Sequence, residues 1–240
     1  MRVITVCVGF LGITSCAMAG VVTFDTSLAG PGFYNGHGSP NTNFTVATQG
    51  NLELGLEANL RFIGPIDPGA GSSTYLAPAG TTGGDANWDF LFSINAADGQ
   101  GTAATLANYS FTMSIVDITA SNSGPTFNPV SAIGDDTYNG PGGMTVGIAT
   151  LVPADFGAQN AENLSFPDFL PGFNPNAGDT YKITLNAFGA NSALVDSDSI
   201  TVETIAGTPE PSAIILTSTS LLFLAGIFAK RRRSRVNDLA

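Results

Sequence analysis

The residues from Leu52 to Phe62 read L-E-L-G-L-E-A-N-L-R-F, with apolar side chains at 52, 54, 56, 58, 60 and 62 and Glu53, Gly55, Glu57, Asn59 and Arg61 between them. A chain offers that alternation to a core only as an extended strand, whose successive side chains point to opposite faces. The expectation is a half-buried strand with one wet face. Trp88, Phe90, Phe92 and Ile94 alternate in the same way, as do Tyr109, Phe111, Met113 and Ile115. Further strand candidates are Val21–Phe24, Phe44–Thr48, Met144–Leu151, Tyr181–Ala187 and Ser199–Ile205, about eight in all.

Turn residues separate these runs. Of 29 glycines and 14 prolines in the chain, 26 and 12 fall between residues 20 and 208, close to a fifth of that region and above the ~12% of ordinary usage. No long stretch before residue 207 has helical period. Strands with one wet face must bury the other against a second sheet, so the expected fold is all-β, an antiparallel β-sandwich of jelly-roll or immunoglobulin-like kind. The expected organisation is a leader over 1–19, the sandwich over 20–206 and a C-terminal segment over 207–235 that includes one transmembrane helix.

Both ends carry targeting chemistry. Arg2, the apolar run Val3–Ile13 and Ala17-Met18-Ala19 before Gly20 form the n-region, h-region and A-x-A site of a secretory signal peptide, with Ala17 and Ala19 marking cleavage. Ile13-Thr14-Ser15-Cys16 also resembles the lipobox of bacterial lipoproteins, which would lipidate Cys16. A C-terminal anchor makes a second one redundant, so ordinary cleavage after Ala19 is preferred. Cys7 and Cys16 are the only cysteines. The exported part is then free of thiols, which excludes disulfides and cysteine-based sites from it.

Ala213–Ala229 has 17 residues and no charge, the lower limit for crossing a bilayer core. Lys230, Arg231, Arg232, Arg233 and Arg235 follow at once, and such a cluster stays cytoplasmic, which places everything before the span outside the inner membrane. Pro209-Glu210-Pro211 stands just before it, and its prolines hold Glu210 in an extended segment a protease can read. This order of tripeptide, apolar span and arginine-rich end resembles the PEP-CTERM sorting signal of Gram-negative bacteria, in which a membrane protease of the exosortase type cuts the chain. Thr208 stands where that family often has Val. No L-P-x-T-G precedes the span, which disfavours the sortase version. A permanent single-pass anchor is the alternative.

Gly32–Gly36, Asn43–Ala47, Leu52–Leu56, Asn87–Phe90 and Thr180–Leu185 are similar to segments of a recurring type of PEP-CTERM ectodomain. The resemblance implies an exported protein of the cell surface or of an exopolysaccharide-associated matrix, such as a biofilm. It supplies no active site.

Charge narrows the partners. Between residues 20 and 208 only Arg61 and Lys182 are basic, whereas seventeen residues are acidic, for a net −15. A surface of that sign repels polyanions, so no nucleic-acid partner is expected. The expected partners are an exosortase-type protease, the inner membrane before processing and exopolysaccharide.

Catalytic groups are scarce. His37 is the sole histidine, no G-x-S-x-G accompanies it, and one histidine cannot build a multi-histidine zinc site. Asp135, Asp136, Asp89 and Glu162 are present as carboxylates, without the E-x-D-x-x-E run of jelly-roll glucanases. The expectation is no enzyme and no catalytic residue. No cofactor is expected either, because no spaced calcium loop occurs. The carboxylates from which a calcium ion could draw ligands in turns or at strand ends are Asp196, Asp198, Asp135, Asp136 and Asp98. A carbohydrate-binding module is the rival function, with Tyr34, Tyr75 and Tyr138 as stacking candidates and Trp88 assigned to the apolar face. Asn43, Asn108 and Asn163 fit N-x-[ST] sequons.

Overall fold

The computed structural model describes residues 20–29, 41–96, 104–133, 136–140, 143–145, 155–166 and 169–206. Its strands are β1 (Val21–Thr26), β2 (Phe44–Gln49), β3 (Leu52–Leu60), β4 (Gly64–Pro65), β5 (Thr74–Pro78), β6 (Thr81–Thr82), β7 (Asp85–Ala86), β8 (Trp88–Asn95), β9 (Ser110–Asp117), β10 (Asn122–Ser123), β11 (Asp136–Gly140), β12 (Gly143–Thr145), β13 (Gly157–Asn163), β14 (Thr180–Phe188) and β15 (Leu194–Ile205). Helix is confined to α1 (Pro129–Ile133) and two single 3-10 turns among the described residues. The protein is a mostly antiparallel all-β structure.

One sheet runs β1-β2-β3-β8-β13-β11-β12, with β4 paired to β3; a second runs β10-β9-β14-β15-β5, and β6 pairs with β7 in a two-stranded sheet of its own. The hairpin from β2 to β3 closes at Gln49 opposite Leu52, and Gly50 supplies the positive φ of 61° that a two-residue loop requires. Register follows from the apolar pattern. Leu54 pairs with Ile94 and Leu56 with Phe92, while Ile183 lies between Ile115 and Ile200 in the second sheet. All of these enter one sandwich-like core with Tyr75, Trp88, Met113 and Tyr181. Each fully buried Leu, Ile or Phe stabilises the fold by about 1.5–3 kcal/mol relative to exposure.

Two expectations need correction. β5 and β15 pair in parallel, so the second sheet is not wholly antiparallel: the chain returns to it from elsewhere, not through a hairpin. The wet-face reading of Leu52–Phe62 fails from Leu52 to Asn59, where every residue is buried on both faces. β3 is interior to its sheet, and its outer face has a cover of its own. Leu28 packs there with Phe44, Val46 and Leu91 as a second small core. Asn41 fastens Leu28 by accepting its N–H at 2.9 Å and donating to its carbonyl at 3.1 Å. Gly55 leaves the space that the Leu28 methyl fills, since a Cβ there would lie 2.5 Å from Leu28 Cδ2. In the second sheet the one-wet-face pattern holds along β9, β14 and β15.

The Met144–Leu151 candidate is a strand through Thr145, within β12, and residues 146–151 lie outside the described residues. β5, β11 and β13 were not expected.

Candidate functional site

β15 carries Asp196, Asp198, Ile200 and Val202 on one face, and that face is turned inward against the first sheet. The two carboxylates are therefore not turn groups. Asp196 is 2% exposed and Asp198 1%. Each spends one oxygen on the N–H of its successor: Ser197 donates to Asp196 Oδ1 at 2.9 Å and Ser199 to Asp198 Oδ1 at 2.8 Å. Oδ2 of each is buried without a hydrogen-bond partner. Burial pushes both carboxyls up, Asp198 the further, with the charge of Asp196 adding to its shift. An unpartnered buried carboxylate oxygen costs on the order of 1–3 kcal/mol, so this corner is unfinished as a hydrogen-bonding system.

Two other elements wall it. Tyr75, on β5, donates its hydroxyl to the Asn43 carbonyl at 2.6 Å and lies 3.3 Å from both the Leu56 carbonyl and Thr45 Oγ1. At the far side Gly20 precedes β1, whose Val21 pairs with Thr48. A Cβ on Gly20 would overlap Oδ1 of Asp196, stand 2.8 Å from the Thr48 carbonyl oxygen and 2.9 Å from Asp196 Cγ. The backbone at Gly20 thus lies directly against the Asp196 carboxylate.

The outer face of the first sheet holds a second polar layer. Glu53, Glu57, Asn59, Ser93, Asn95, Gln159 and Asn163 are all buried there. Ala29 donates its N–H to Glu53 Oε2 at 2.8 Å, and Gln159 Nε2 donates to Ser93 Oγ at 3.0 Å. Desolvation pushes Glu57 up to about 9. Arg61 closes the layer at one end, 2.8 Å from Asp85 and 3.5 Å from Asp89, with the Phe62 ring 4.9 Å from its guanidinium carbon. Asp89 is in an ion pair, and Glu162 accepts from Asn160 Nδ2 at 2.8 Å; the structure brings neither against the other as a facing acid and base.

The remaining sequence candidates are distributed as follows. Tyr75 is wholly buried, so it is a core residue and not a stacking platform; the strand β5 is too short for its alternation to stand out from the turns around it. Trp88 is on the apolar face, as expected, 5.8 Å from the Tyr181 ring centroid. Asn163 is buried and cannot accept a glycan in the folded chain. Asp136 and Tyr138 fall on the backbone of β11. His37, Tyr34, Asp98 and Asp135 lie outside the described residues, as do the signal cleavage residues Ala17 and Ala19, Cys7 and Cys16, the sorting residues Pro209, Glu210 and Pro211, the span 213–229 and Lys230, Arg231, Arg232, Arg233 and Arg235. Among the described residues no helix is long and apolar enough to cross a membrane, and no three His, Cys, Asp or Glu stand together as a metal group.

The closeness of Gly20 to Asp196 was invisible in sequence, because nothing local joins residues so far apart. The inward placement of the two aspartates was visible: they share the parity of Ile200 and Val202. No family model, no curated protein and no solved structure matches the chain.

Proposed function

We propose that the protein is an exported structural protein of the cell surface or extracellular polymeric matrix, held at the inner membrane by its C-terminal span and released when an exosortase-type protease cuts at Pro209-Glu210-Pro211. The observation that carries this reading is the order of that tripeptide, the uncharged span 213–229 and the basic cluster 230–235. Its position in the sequence supports it as well: β15 ends at Ile205, so only Ala206, Gly207 and Thr208 separate that strand from Pro209 along the chain. A protease reads an extended segment better than a paired strand. The finer fold we infer is a β-sandwich of jelly-roll or immunoglobulin-like kind, followed by one transmembrane helix.

The acidic, thiol-free body suits a matrix role, where net negative charge keeps the domain soluble and free of nucleic acid. Calcium bridging between surface acids and matrix polymers is compatible with it and needs no dedicated site.

Intact mass and membrane fractionation of the protein from its host, wild type against Glu210→Ala, tests the reading. The expected wild-type species has lost everything after the Pro209 region and left the inner membrane, while the variant stays full-length and bound. If both keep the arginine tail in the membrane, the protein is a permanently anchored surface protein instead.

A carbohydrate-binding role has one observation in its favour. The wet face of the second sheet carries Thr112, Ser114, Thr184, Asn186, Ser197 and Ser199, linked by hydrogen bonds such as Ser197 Oγ to Asn186 Oδ1 at 2.8 Å. Binding to a glycan array that is lost in Asn186→Ala would support that role over the structural one.

A further inference from the structure

We propose that Asp196, with Asp198 beside it, is the binding site for the chain's own α-ammonium group, created when the leader is removed after Ala19. The inference rests on the leader reading of the sequence, and the structure supplies the rest. If cleavage falls there, Gly20 is the first residue of the mature chain, and its nitrogen changes from an amide N–H into a cation with three donors. That nitrogen already lies near the acid. A Cβ on Gly20 would stand 2.9 Å from Asp196 Cγ, and covalent geometry holds the nitrogen about 2.5 Å from that Cβ, so it lies within roughly 5.5 Å of the carboxylate carbon.

The position is fixed from the next residue onward. Val21 pairs with Thr48, Val22 with Ala47 and Thr23 with Val46, so β1 delivers the new terminus to the acid corner without a search. Oδ2 of Asp196 and Oδ2 of Asp198 are both buried and both without a partner. The carboxylate atom nearest Gly20 is Oδ1, which already accepts from the Ser197 N–H; an ammonium group there offsets the buried charge, has the Thr48 carbonyl oxygen as a second acceptor nearby, and carries a third hydrogen to turn toward the unpartnered Oδ2. The titratable groups facing this corner are Asp196 and Asp198 from β15 and Tyr75 from β5, which also feels Glu57; β2 faces it with Thr45 and backbone. No described cation competes: Arg61 is engaged by Asp85 and Asp89, and Lys182 is on the exposed side of β14.

The residue at the cleavage point is constrained by the same geometry. Any side chain at position 20 would meet the Asp196 carboxylate and the Thr48 carbonyl, so glycine follows from the need to bring a backbone nitrogen close to a buried acid. Before cleavage the amide N–H carries no charge to offset the acids. Leader removal therefore completes the corner, and stability gained at that step favours the processed chain after export.

The experiment uses the protein exported by its host, in detergent where the anchor persists. N-terminal sequencing first shows where it begins. A start other than Gly20 overturns the leader reading and this inference with it. With a Gly20 start, trace acetylation across pH, read at the N-terminal peptide by mass spectrometry with Lys182 as internal standard, gives the pKa of the amine. The expected value is at least one unit above the ordinary ~7.7–8.0, a tenfold loss of reactivity at neutral pH, returning to the ordinary range in Asp196→Asn. An ordinary amine in the wild type, or a shift that survives both Asp196→Asn and Asp198→Asn, overturns the proposal.

A second variant guards against a misfolded substitution. A chain that retains Ala19 should melt lower than the Gly20-initiated chain in the wild-type background and equally in the Asp196→Asn background; equal melting in both overturns the pairing. Calcium chloride alone is the control ligand. If it raises the melting temperature through Asp196 while the amine stays ordinary, the corner is a cation site and the proposal fails.

Discussion

Asn163 Nδ2 donates to Asp89 Oδ1 at 2.8 Å, joining the end of β13 to the start of β8. The same nitrogen lies 3.0 Å from the carbonyl oxygens of both Ala86 and Trp88, so its two hydrogens are shared among three acceptors, and the amide oxygen accepts from the N–H groups of Ala86 and Ser165. One buried side chain therefore engages five polar atoms from three segments, and Asp89 passes the connection on to Arg61.

Asn163→Ala leaves several of those backbone groups buried and unpaired, each at a cost of about 1–3 kcal/mol. The expected loss is about 2–4 kcal/mol, less than the full sum because the loop at Ser165 is only half buried and admits water. Urea unfolding followed by fluorescence checks it, since Trp88 is the sole tryptophan and is 1% exposed. A midpoint within error of wild type would show that the network is dispensable.

Tyr75→Phe keeps the ring and removes the hydroxyl that spans from β5 in one sheet to Asn43 and Leu56 in the other. The Asn43 carbonyl loses its donor, and a loss of about 1–2 kcal/mol is expected. Because the ring lies wholly inside, the substitution should leave glycan-array binding unchanged. Lost binding with unchanged stability would contradict the core assignment.

Much of the fold was legible because strands in the second sheet keep one face wet. Tyr181, Ile183 and Leu185 alternate with Lys182 and Thr184 on a surface that solvent and core divide cleanly. β13 was not legible: Gly157–Asn163 reads G-A-Q-N-A-E-N, and a strand buried between two neighbours beneath a polar layer needs no apolar alternation. Glu53 and Glu57 were read as wet for the same reason, since sequence shows the parity of a strand and not what covers its second face. The aspartates of β15 were missed differently. They share the parity of Ile200 and Val202, but carboxylates at inward positions break the apolar alternation that marks the strand from Ile200 onward.

Gly124→Ala tests a close backbone crossing. A Cβ there would overlap the Phe169 carbonyl oxygen and stand 2.9 Å from its carbon, and neither atom is at the end of a flexible side chain. Gly124 also donates its N–H to the Ile115 carbonyl at 3.0 Å, so it cannot withdraw without loosening β9. The variant should lose about 1–3 kcal/mol and shift the signals of Phe127 and Phe169, whose rings stand 5.7 Å apart. Wild-type stability would mean that the loop at Phe169 moves freely.

Glu57 sets the direction of the pH dependence. Burial lifts its carboxyl from 4.5 to about 9, so between those values the folded chain holds a proton that the unfolded chain has released. Stability then falls as pH rises through that window and is fully present below its lower end. Asp198 is raised by burial and acts with the same sign, as does Asp196 while the leader is still attached and no ammonium group faces it. Tyr75, also raised by burial, extends the loss above the ordinary tyrosine range. The expected loss from pH 5 to pH 8 is at least ~1 kcal/mol, a fall in melting temperature of about 2–4 °C. Glu57→Gln keeps the shape and removes the titration, so its melting temperature should fall less over the same interval and exceed wild type at pH 8. Calorimetric curves for the two proteins that run parallel from pH 5 to pH 8 would mean that Glu57 is ionised in the fold, stabilised by partners strong enough to overcome its burial.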